Sequence, residues 1–149
     1  MIKRLVFPVL VVVFAYAGVV FVCGSTAWLY VDLPSLVIVP VLPVLYMAAI
    51  YGFAGVAGAF RVPFSERASV GELARSLAFF KSLGRSFWLF GAMGMCLGLI
   101  EVLRNLTERE KLGPNLAIAI LTILYAATFN LLLVQPFSAN ARKRLAEAE

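Results

Sequence analysis

The 149-residue chain has no histidine, two cysteines and only eight acidic residues. The missing histidine excludes a Ser-His-Asp triad and a histidine-ligated zinc site. Cys23 and Cys96 lie in separate apolar segments, with neither a metal-ligand spacing nor a disulfide framework. They read as small hydrophobes. No nucleophile–base pair and no metal cluster stands out, so neither an enzymatic activity nor a cofactor is expected. Charged residues make up 14% of the chain, where a soluble domain of this size carries about a quarter.

The shortage of charge is concentrated. No Asp, Glu, Lys or Arg occurs in residues 5–31, 33–60 or 112–141, and 62% of the chain is hydrophobic. A spanning helix needs about 20 mostly apolar residues, and a backbone in hydrocarbon must be helical or a closed barrel. The runs lack the period-two alternation of barrel strands. The expected fold class is therefore an all-α integral membrane protein with four transmembrane helices. The spans fall at about residues 5–23, 35–60, 83–103 and 114–137, joined by a connection at 61–82, in one membrane domain covering residues 1–149. The N-terminal run follows Lys3 and Arg4 but is longer than a signal-peptide core, and bulky Val20, Phe21 and Val22 precede Cys23. It is read as a retained first span.

Local signals mark the ends. Asp32 can cap the second helix, with Pro34 in its first turn, and Pro40 and Pro43 should kink its early part. Ser69-Val70-Gly71-Glu72 matches a capping box. Val70, Leu73, Leu77, Phe80, Leu83 and Phe87 then recur at helical spacing. The third helix is thus expected to begin outside the bilayer as an amphipathic extension and to continue into it. Ten Lys or Arg residues fall on the side of the termini and the 61–85 loop, against three on the other side. That asymmetry places both termini in the cytoplasm. Basic residues that hug span ends are a topology signal, and no nucleic-acid partner is expected.

The third span carries Gly91, Gly94 and Gly98, with Gly94–Gly98 forming a GxxxG pattern for close helix packing. No strand precedes it and no Lys-Ser/Thr follows, so a phosphate loop is the wrong reading. In the fourth span Thr122, Ala126 and Asn130 are four apart and share one face. A threonine can bond its own backbone one turn back, but an amide in hydrocarbon needs a partner. A small, polar stripe points to a helix turned toward other protein or toward a wet path. Glu101 pairs by spacing with Arg104; the rival reading makes it the binding carboxylate of a small transporter.

Several runs carry a family pattern. Asp32-Leu33-Pro34-Ser35-Leu36-Val37-Ile38-Val39 resembles the start of the second span in MotA-type stator proteins. Phe79-Phe80-Lys81-Ser82-Leu83-Gly84-Arg85 is similar to the run into their third span. Gly91-Ala92-Met93-Gly94-Met95-Cys96-Leu97-Gly98-Leu99-Ile100 resembles the glycine-rich third span itself. Gly113-Pro114-Asn115-Leu116-Ala117, Leu121-Thr122-Ile123-Leu124-Tyr125-Ala126, Asn130 and Pro136 resemble the fourth. The chain thus resembles the MotA/TolQ/ExbB proton-channel family over nearly its whole length.

That resemblance implies a homopentamer in the bacterial inner membrane. Its third and fourth spans would line a central pore threaded by a single-span partner of the MotB/ExbD/TolR type, whose aspartate passes protons or sodium ions and drives rotation. Thr122, Ala126, Asn130, Met95 and Ile123 would face the pore or the partner, and Gly91, Gly94 and Gly98 would pack helices. Met95 and Ile123 stand where the family usually has threonine, and no carboxylate lies deep in any span. Conduction would need the partner's carboxylate, and a non-conducting scaffold is the rival. The short 61–85 segment is far smaller than the domain with which motor stators grip a rotor.

Overall fold

A computed structural model describes residues 2–24, 26–65 and 68–148, with side chains from Phe7 onward apart from Cys23, Ala27 and Leu29. The thiol of Cys23 and the charges of Lys3, Arg4 and Arg67 lie outside that description. Helix α1 runs Ile2–Cys23, α2 Leu33–Arg61, α3 Val70–Arg104 and α4 Arg109–Phe129. A π-helical turn, Asn130–Val134, joins α4 to α5, Gln135–Ala146, without a gap. Among the described residues there is no strand. Three helical stretches are long and apolar enough to cross a membrane by length and composition: Leu33–Phe64, Val70–Arg104 and Arg109–Ala146. The apolar part of α1, Phe7–Val22, is shorter.

The helix ends follow from capping chemistry. The Asp32 carboxylate accepts the Ser35 N–H at 3.0 Å, with proline in the first turn of α2. At Ser69 both halves of the capping box form. The Glu72 N–H donates to Ser69 Oγ at 3.3 Å, and the Ser69 N–H to Glu72 Oε2 at 2.8 Å. The second bond holds the Glu72 carboxyl below its ordinary pKa, since a donated N–H favours the charged form.

The one departure from helical torsions among the described residues of α2 is at Gly52 rather than at a proline. Helical torsions continue through Pro40 and Pro43, and the departure comes at Gly52, with φ 73° and ψ 157°. Proline holds φ near −65°, which a helix accepts. That positive-φ, extended-ψ conformation is open essentially to glycine alone.

Helix α3 packs antiparallel to α4 along most of its length, with α2 against both. At about 1.5 Å per residue, the 35 residues of α3 measure about 52 Å, well beyond an apolar core of about 30 Å. A cluster of large side chains packs against its N-terminal half. Phe80, Leu83 and Phe87 are fully buried there with Met47, Ala59, Phe79 and Val134. The Phe60 ring meets Phe79, Phe80 and Phe137 edge-on at 5.0–6.1 Å. The α2–α3 turn is tied to α5, since Asn140 Nδ2 donates to the Pro63 carbonyl at 2.8 Å. Arg144 Nη1 donates to the carbonyls of Val62, Pro63 and Ser65.

Candidate functional site: the α3–α4 seam and its open side

The glycines of α3 meet the small residues of α4 one for one. A Cβ added at Gly91 would lie 2.5 Å from Ala126 Cβ, and one at Gly98 would lie 2.7 Å from Ala119 Cβ. At Gly94 it would lie 3.2 Å from Thr122 Cβ. Each step forward on α3 is matched by a similar step back on α4, as an antiparallel pair requires. Further along, a Cβ at Gly84 would lie 3.0 Å from Val134 Cγ1. Such approach is what glycine supplies to membrane helices, which gain little hydrophobic drive from one another.

The polar stripe is used inside this seam. Thr122 Oγ1 donates to the Ala119 carbonyl at 2.8 Å and lies 3.3 Å from the Gly91 carbonyl. Asn130 Nδ2 donates across the seam to the Gly84 carbonyl at 3.1 Å. Thr122, Ala126 and Asn130 are all buried. In the single chain, then, they do not face an open path: they close α3 onto α4. Helical period shows which residues share a face but not which neighbour covers it. Gly91, Gly94 and Gly98 pack helices within the chain. Thr128 Oγ1 donates to the Leu124 carbonyl at 2.7 Å and is also hydrogen-bonded to the Tyr16 hydroxyl, which links α1 to α4.

The seam has two sides. On one, α2 leaves a groove of about 230 Å³ with Ser35, Val39, Phe90, Gly94, Ile118 and Thr122 in its lining. Met95 and Ile123 are absent from that lining and stay half-buried. A turn of about 100° per residue places Ile123 on the other side, with Leu116, Ile120, Ala127 and Leu131. On α3 the same rotation puts Ala92 and Trp88 beside Met95. Trp88, Ile120 and Leu131 are 48–54% exposed. The two positions read from family resemblance therefore share the seam's open side.

Three positions were not singled out by sequence. Gly84 stands seven residues before Gly91, and Ala119 three before Thr122, so both were readable as continuations of the same faces. Tyr125 had no such signal. It is buried, accepts the Asp32 N–H at 2.8 Å and donates to the Tyr30 carbonyl at 2.7 Å, anchoring the α1–α2 connection to α4. Glu101 is exposed and pairs with Arg104 at 3.3 Å.

Comparison with known proteins gives the same direction. The chain is 33% identical over 78 residues to Motility protein A of Aquifex aeolicus, covering 52% of this chain and 29% of that protein. It is 34% identical over 65 residues to the uncharacterized protein YtxD of Bacillus subtilis, covering 44% of this chain and 24% of that one. The chain spans less than a third of the length of either relative. No family model matches, and no solved structure matches. The similarity to Motility protein A is distant and supports a MotA-like relationship and a membrane protein.

Proposed function

We propose that the chain is a minimal stator-type channel subunit of the inner membrane. In this reading it forms a homopentamer around a single-span partner of the MotB/ExbD/TolR type and couples proton or sodium flow to mechanical work. The observation that carries the reading is the open side of the α3–α4 pair. A hairpin already sealed by its glycines, with α2 on one flank and Trp88, Ile120 and Leu131 about half exposed on the other, is the form of a wall element in a ring. The similarity to a motility protein supports the same assignment. Met95, Ile123, Ala127 and Leu131 would then look into the ring, while Thr122, Ala126 and Asn130 keep each wall element rigid from behind. No carboxylate lies on that side within the span, so the titrating group belongs to the partner. The test is co-expression with a single-span partner bearing an intramembrane aspartate. Native mass spectrometry counts copies, and ion flux is measured in liposomes. Five copies and flux lost on neutralising the partner's aspartate support the reading; a stable monomer that ignores every such partner overturns it.

A second reading has its own support. The hydroxyl and amide of the stripe are consumed inside the chain, and Met95 and Ile123 are apolar. The same assembly could therefore serve as a dry scaffold. An intact ring without flux selects this reading.

A further inference from the structure

The π turn of α4 has a consequence for one carbonyl. The Gln135 N–H donates to the Asn130 carbonyl, one residue further back than in an α-helix. Residue 136 is proline and has no N–H to give. The Leu131 carbonyl therefore has no donor at either i+4 or i+5. Among the described residues no side chain donates to it. Leu131 is 50% exposed and sits on the open side of the seam, and the Gln135 side chain lies exposed one turn on. The charge-free run 112–141 has its midpoint between Ala126 and Ala127. Leu131 is about 7 Å from that midpoint along the helix, inside an apolar core about 15 Å deep on each side.

An unpaired carbonyl at that depth is not tolerated against lipid, though it is tolerated where it lines water or other protein. We propose that the Leu131 carbonyl is an acceptor site wetted at membrane depth. It holds a water molecule or a hydrated monovalent cation on the open side of α4. Both ligands offer the same chemistry, a small positive or donor group facing a neutral oxygen. The assignment deepens the stator reading by naming the wet side of α4. It rests on that reading only for what the water serves, because the carbonyl's need is set by the π turn and Pro136.

The experiment uses the full chain with Cys23→Ser and Cys96→Ser, reintroducing one cysteine at a time as Leu131→Cys, Ala127→Cys or Phe14→Cys. Phe14 is 81% exposed on α1 and lies near the same level, since Tyr16 bonds Thr128. Open membrane fragments are treated with a cationic, water-soluble methanethiosulfonate. Labelling at 131 and 127 at least about tenfold faster than at 14 is expected, because a thiolate forms only where water reaches. Rates at 131 and 127 as slow as at 14 overturn the proposal. Adding Pro136→Ala supplies the missing N–H and should slow labelling at 127 severalfold; an unchanged rate assigns the water to another cause and overturns the role of the carbonyl. Slower labelling in sodium chloride than in choline chloride of equal ionic strength assigns the cation, and equal rates assign water. Fast labelling in a protein that conducts nothing leaves this site standing and removes the channel, whereas flux with a dry Leu131 does the reverse.

Discussion

Helix α3 meets its neighbours in two different ways along one continuous rod. From Gly84 to Gly98 it offers glycines, and α4 answers with alanine, threonine and asparagine. From Leu73 to Phe87 it offers large side chains, and α2 and α5 answer with Phe60 and Phe137. The two contacts hold by different means. Lipid is as apolar as leucine, so helices in it associate through close contact and shared hydrogen bonds. At the aromatic end the rings fill the interior in edge-on and stacked contacts. The change of residue size along α3 therefore separates a seam held by close backbone approach from a cluster held by ring packing.

The comparison is tested most strongly at the aromatic end. Phe80→Ala should cost about 4 kcal/mol, since it empties a fully buried position among rings that are themselves fixed. Chemical denaturation in detergent, followed by circular dichroism, reads the loss. A cost below about 1 kcal/mol would mean that the rings do not form a tightly packed core.

At the glycine end a comparable effect needs an addition rather than a deletion. Gly91→Leu should cost about 3 kcal/mol, because the nearest contact is a β-carbon on a backbone that cannot yield. A swap sharpens the point. Gly91→Ala alone destabilises, and pairing it with Ala126→Gly should recover most of the loss, a coupling that a double-mutant cycle measures directly. If the two changes simply add, the helices do not meet at this pair. Asn130→Leu comes next, with a loss of about 1 kcal/mol for an interhelical bond in a membrane setting. Because that side chain is covered within the chain, a large change in ion selectivity with unchanged stability would move it out of the seam.

Much of this was readable from residue order. Charge-free runs announced long apolar helices, and Ser69 with Glu72 located the start of α3. Small residues at spacings of three and four outlined both sides of the seam. What could not be read was the identity of the covering neighbour. Thr122, Ala126 and Asn130 form one face, and a face pointing to a sister copy has the same spacing as one pointing to the chain's own third helix. The departure from helical torsions in α2 was also unannounced. Prolines report a missing donor, but the departure from helical torsions fell at Gly52, whose freedom has no neighbouring pattern to announce it. Pro136 was visible in the sequence. Its effect on Leu131 was not, because that effect depends on the π turn taking the Gln135 N–H.

The smallest expected effect lies outside both contact zones, at the first turn of α3. Glu72 is fully exposed, and its carboxylate is held in the charged form by the Ser69 N–H. A carboxyl with a lowered folded-state pKa contributes its stabilisation in full above the pKa of the unfolded chain. It loses that contribution as pH falls through the lower, folded value. The helix start should therefore fray on acidification below the ordinary carboxylate range, and Glu72→Gln should remove that pH dependence while keeping the side chain's shape. Amide exchange at residues 70–73, followed against pH, gives the reading. Equal acid sensitivity in both proteins would place the fraying elsewhere, whereas a difference confined to this turn would show that the capping box fixes where α3 begins without contributing to either the aromatic core or the glycine seam.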